Sequence, residues 1–102
     1  MSNIVNWNGH QFHSHQHSAA WHEVGGIYIF AKQVVAGNWH ALYIGQAKSF
    51  ADRLTNHERW PDAVRHGASH VHAMVVAGQS DRDAIEERLI RMFQPPLNTH
   101  HR

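Results

Sequence analysis

Between residues 24 and 48 the side chains follow a period of two. Ile27, Ile29 and Ala31 alternate with Tyr28, Phe30 and Lys32, as a half-buried strand requires. Gly37 and Asn38 are turn residues, and Ala41 to Ile44 forms a second strand, so the segment reads as a hairpin. A strict two-residue turn there opposes Tyr28 to residue 47, and a longer loop or a bulge is expected instead.

The period then changes. Residues 49–60, SFADRLTNHERW, contain no glycine or proline, begin with Ser49 as a cap and carry Asp52 three residues on, which predicts a helix. PDAVRHG predicts a second short helix with Pro61 in its first turn and Gly67 at its end. HVHAMVVA predicts a strand, and SDRDAIEERLIRMF a helix that Pro95 and Pro96 terminate. The expected fold class is α/β in the α+β sense: a small antiparallel three-stranded sheet flanked by helices, in the order β-β-α-α-β-α. Residues 1–23 are polar and irregular, with Trp7, Phe12 and Trp21 as the large apolar anchors, and read as a histidine-rich arm with loop or short-strand character. Residues 24–102 read as the folded domain.

A chain of 102 residues suits one modest core. Cysteine is absent, which removes disulfides and thiolate metal sites. Neither a secretory leader nor an apolar run of membrane length is legible, so a cytoplasmic protein with no membrane partner is expected. The formal charge of +1 is a weak signal for a polyanionic partner, although the twelve histidines become cationic if a phosphate backbone favours their protonation.

The last helix carries an anomaly. Ile85, Leu89, Ile90, Met92 and Phe93 form one apolar stripe at helical spacing; Glu86 falls inside it and Glu87 outside. A carboxylate directed at the protein costs several kcal/mol unless it is paired or holds a metal. Mg²⁺, which uses one or two carboxylates together with water and substrate phosphate, suits it. Arg53 and His57, four apart on the predicted helix, share a face. They read either as a solvated pair or as a fork for phosphate oxygens beside a group that moves a proton. Tyr28 and Tyr43 read either as strand aromatics that fill a sheet face or as two walls of a site.

Gly26-Ile27-Tyr28 followed by Tyr43-Ile44-Gly45 is the pair of tripeptides that names the GIY-YIG nucleases, and the chain resembles that family over residues 24–98. Arg53 lies ten residues after Tyr43, His57 four further on, and Asn98 twelve after Glu86, all as in the family. The resemblance implies a free-standing metal-dependent endonuclease that hydrolyses phosphodiesters in DNA through an activated water. Tyr28, Tyr43, Arg53, His57, Glu86 and Asn98 are the implied catalytic set, Glu86 the ligand of one Mg²⁺ or Mn²⁺ ion, and Gly45, Gln46 and Lys48 the substrate contacts. Gln46 stands where several relatives place a lysine. Tyr28 is expected to orient the water and relay its proton, with His57 as acceptor or phosphate partner. DNA is the expected partner, with RNA, a homodimer and a targeting partner left open. The alternative is a catalytically poor nucleic-acid-binding module of the same fold.

His13, His15 and His17 alternate, as do His70 and His72, but no cysteine or carboxylate accompanies them at a recognised metal spacing. They are read as solvated or phosphate-contacting.

Overall fold

The computed structural model describes residues 3–35 and 37–98; the outer ends of the two expected segments, residues 1–2 and 99–102, lie outside them. Strands β1 (Ile4–Trp7), β2 (His10–His15), β3 (Gly26–Gln33) and β4 (Trp39–Ala47) precede helices α1 (Phe50–Leu54) and α2 (Trp60–Arg65). Strand β5 (His70–Val75), helix α3 (Gln79–Phe93) and a 3-10 turn at Pro96–Asn98 complete the chain. All pairings are antiparallel, in the spatial order β1-β2-β5-β3-β4.

Two expectations are corrected here. The sheet has five strands rather than three, and two of them precede the expected order, because the histidine-rich segment folds into a β1-β2 hairpin that pairs with β5. The hairpin sends only Trp7 and Phe12 into the core as buried side chains, which is too sparse a pattern to read as strands. Second, the helix expected over 49–60 stops at Leu54; the Ser49 hydroxyl does accept from the Asp52 N–H, but Thr55 Oγ1 turns back to the Ala51 carbonyl at 2.6 Å. His57 therefore lies in the turn between α1 and α2, and its proximity to Arg53 comes from that turn, not from a shared helix face.

The sheet separates two cores. On one face Tyr28, Phe30, Tyr43, Val71 and Ala73 pack with Phe50, Leu54 and Ala63 of α1 and α2. On the other, Phe12, Ile27, Ile29, Ala41 and Ile44 pack with Leu89 of α3. The expected irregularity in the β3-β4 hairpin is present. Phe30 opposes Tyr43 and Ala31 opposes Ala41, so Leu42 is an extra residue and Tyr28 faces Gly45. No helix among the described residues is long and apolar enough to cross a membrane.

Candidate active site

The glycines of the two tripeptides have separate steric reasons. A Cβ on Gly45 would lie 2.5 Å from the Tyr28 hydroxyl and 2.6 Å from its Cζ, so the absence of a side chain lets the tyrosine ring lie across β4. Gly26 abuts the Met74 carbonyl of β5, where a side chain would strike backbone. Tyr28 and Tyr43 thereby sit diagonally on one sheet face with ring centroids 6.3 Å apart, and the His57 ring stands edge-on to both at 5.4 and 5.3 Å.

His57 is buried, and its two nitrogens have distinct partners. The Arg59 backbone N–H donates to Nδ1 at 2.9 Å, so the neutral ring carries its proton on Nε2, which then donates to the Tyr28 hydroxyl oxygen at 2.7 Å. Burial, then the Arg53 charge, lowers the His57 pKa to about 4 and keeps the ring neutral at pH 7. With these partners neither ring nitrogen has a free lone pair, so His57 as arranged here presents an N–H donor to the Tyr28 oxygen rather than an acceptor. Burial, then Tyr43, pushes the Tyr28 hydroxyl far above its ordinary value of 10, and Tyr43 is raised chiefly by burial as well. Arg53 and Glu86 both lie within electrostatic reach of the two hydroxyls.

Glu86 is half-buried while Glu87 is exposed, as the helical stripe predicts. Its Oε1 accepts from the Gln46 side-chain amide at 2.8 Å, and the same amide nitrogen donates to Asp83 Oδ1 at 2.8 Å. Gln79 in turn donates to Gln46 Oε1 and Asp83 Oδ1, each at 2.8 Å. Gln46 thus directs its N–H groups at carboxylates in this state, whereas Lys48 is exposed. The Glu86 and Asp83 carboxylate oxygens are the hard donors a divalent cation takes, and the Gln46 amide N–H groups now occupy the place between them. No cluster of three His, Cys, Asp or Glu groups suited to a metal exists among the described residues, so water and substrate oxygens would complete its shell.

Asn98 is buried with both ends of its amide committed: Ile44 N–H donates to Oδ1 and Nδ2 donates to Ile44 C=O, each at 2.9 Å. It extends the sheet by one pseudo-residue and fixes the edge of β4 next to Tyr43. Three residues that the sequence reading passes over also matter. Glu58 forms a two-pronged pair with Arg53, Asp83 anchors Gln46, and buried Arg82 donates to the Val76 and Ala77 carbonyls at 2.9 Å, tying the loop after β5 to α3. None lies on a periodic stripe that marks it.

The alternating histidines are less solvated than expected, because several pack on tryptophans and His72 is buried. His13 is exposed on β2 and His15 stands edge-on to Trp21. His17, beyond the strand, stacks on Trp60 at 4.4 Å. His70 and His72 both pack on Trp39, and buried His72 accepts from Trp7 Nε1 at 3.0 Å.

The antiparallel sheet, Tyr28 laid over Gly45 with Tyr43 diagonal to it, and the α3 carboxylate are the features of a GIY-YIG domain, and this chain has that fold. Among solved structures it is similar to the GIY-YIG N-terminal endonuclease domain of UvrC from Thermotoga maritima, bound to its catalytic magnesium, at 25% identity and a TM-score of 0.60, covering 74% of this chain and 84% of that one. Similar too, with 74% of this chain and 83% of the other covered, are variants of that domain bound to the divalent cation. One carries alanine in place of an asparagine, at 25% identity and a TM-score of 0.60; another carries phenylalanine in place of a tyrosine, at 26% and 0.57. No family model and no curated protein matches the chain.

Proposed function

We propose that this chain is a divalent-metal-dependent endonuclease that hydrolyses phosphodiester bonds in DNA through an activated water. The observation that carries the reading is the Tyr28–Tyr43–His57 cluster on one sheet face, within electrostatic reach of both Arg53 and the half-buried Glu86. We assign the catalytic unit to residues 24–102 and residues 1–23 to an extension that widens its sheet. Glu86 would hold one Mg²⁺ or Mn²⁺ ion, with Asp83 close by through Gln46, and the chemistry supplied there would be stabilisation of charge on the leaving oxygen. Tyr28 orients the attacking water and, as phenolate, takes its proton. The His57 Nε2–H stands ready to donate to the oxygen on which that charge resides. Tyr43 positions the phosphate, and Arg53 offers a fork to its non-bridging oxygens. Asn98 acts through the backbone of Ile44 and is a positioning residue.

The test is cleavage of supercoiled plasmid and of single-stranded oligonucleotide with Mg²⁺, Mn²⁺ or EDTA, run beside Glu86→Ala. Metal-dependent cutting that the variant loses is expected. Binding without cutting on either substrate refutes the nuclease and leaves the binding module.

A further inference from the structure

Arg53 is not free. Its Nη1 donates to Glu58 Oε1 at 2.7 Å and its Nη2 to Glu58 Oε2 at 2.9 Å, a bidentate pair in which two parallel N–H groups meet two oxygens of one anion. That geometry is the one a guanidinium uses for the two non-bridging oxygens of a phosphodiester. Glu58 stands in the turn between α1 and α2, its side chain 67% exposed against 37% for Arg53. Among the described residues the Arg53 guanidinium has no hydrogen bond besides these two. Arg59, the adjacent cation, is engaged with Asp62 at 3.1 Å.

We infer that Glu58 is an internal stand-in for substrate phosphate: in the free protein its carboxylate occupies the fork of Arg53, and a phosphodiester exchanges with it on binding. The inference rests on the nuclease reading of this site and adds how the site is kept from other anions. An exposed pair is weak enough to exchange, because its Coulomb gain is small in high dielectric. Exchange needs only rotation of the Glu58 side chain toward solvent. With Glu58 in place the fork is neutralised, so a lone small anion gains little. A polynucleotide that also engages Tyr43 gains enough to displace it. Glu58 is thus a specificity residue that touches no reacting atom.

The test is a double-mutant cycle on the full chain with Glu58→Gln, Arg53→Ala and both together. Binding of a fluorescein-labelled 16-base-pair duplex in EDTA is read by anisotropy, and inorganic phosphate is titrated against the Arg53 side-chain N–H signals by NMR. Glu58→Gln is expected to tighten duplex binding roughly two- to fivefold, the range an exposed ion pair supports, with no gain when Arg53 is alanine. The Arg53 signals then move at correspondingly lower phosphate. Weaker binding on Glu58→Gln makes Glu58 a support for Arg53 and overturns the inference. Equal gains in both backgrounds make it a general charge effect and overturn it as well. Protein that binds duplex without ever cutting it refutes the nuclease while the cycle still decides Glu58; if duplex is not bound at all, the phosphate titration decides it.

Discussion

The pH dependence of cleavage separates the two groups that contend for the water's proton. Tyr28 is raised far above 10, so it is a phenol at rest and its phenolate fraction grows tenfold per pH unit through the neutral range. If that phenolate is the acceptor, kcat rises about 100-fold between pH 6.5 and pH 8.5. His57, at about 4, is neutral throughout that window, and a mechanism with His57 as base is flat there. The contribution of His57 follows from its 2.7 Å bond to the Tyr28 oxygen. A hydrogen bond to a charged group contributes about 1.5–3 kcal/mol, so His57→Ala lowers kcat by roughly 10- to 150-fold. His57→Gln, which keeps an N–H donor at the same reach, loses less than about fivefold if the bond itself is what matters. Single-turnover cleavage of a labelled duplex from pH 6 to pH 9, with saturating Mg²⁺, reads all three proteins. A profile flat between pH 6.5 and 8.5, or a glutamine variant as impaired as the alanine one, refutes the assignment.

Stability has its own acid limit. His57 and His72 are each lowered from 6.5 to about 4, chiefly by burial, so the unfolded chain takes up these protons first; stability present above pH 6.5 falls as pH drops toward 4. The loss between pH 7 and pH 5 is about 2 kcal/mol per histidine. Urea melts of His72→Asn, whose Oδ1 can still accept from Trp7 Nε1, should show about half of the wild-type pH dependence; an undiminished slope counts against the assignment. Asn98→Ala leaves the buried N–H and C=O of Ile44 unpaired, a loss of about 2 to 4 kcal/mol. Calorimetry should register it as a Tm drop of roughly 10 °C or more, and a drop within 3 °C or so argues that β4 re-pairs without Asn98.

The hairpin around Tyr28 and Tyr43 was legible because its strands are apolar runs bounded by turn residues; β3 is buried on both faces rather than half-buried, since an apolar core covers each face of the sheet. Glu86 was legible because a carboxylate in an apolar stripe is a local anomaly. The β1-β2 hairpin was hidden because one of its faces stays polar, and only Trp7 and Phe12 reach the core as buried residues. The end of α1 was hidden because Thr55 and Asn56 are neither glycine nor proline, and the back-bond of Thr55 has no sequence signature. Glu58 pairs with Arg53 across a turn, and Gln46 meets Glu86 from 40 residues away. Such pairings exist only once the chain is folded, so no local pattern announces them.

The pairings also explain why net charge says so little about this protein's partners. In the free state Arg53 is matched by Glu58 and the Glu86 carboxylate by the Gln46 amide, so neither sign of charge is fully displayed at the site. The Arg53–Glu58 ion pair is exposed, and exchange of Glu58 for a ligand group costs little in water-like dielectric, whereas the Gln46–Glu86 contact is a part-buried hydrogen bond from a neutral amide. The Tyr28–His57 bond is different. Both residues are buried, and loss of either partner leaves a polar atom without compensation. On the proposed reading a substrate finds a replaceable pair at Arg53, which governs what binds, beside a fixed Tyr28–His57 contact, which governs what reacts. On this division, substitutions at Glu58 move affinity and substitutions at His57 move kcat, and a variant at either position that moved the other quantity alone would join the two functions that the fold keeps apart.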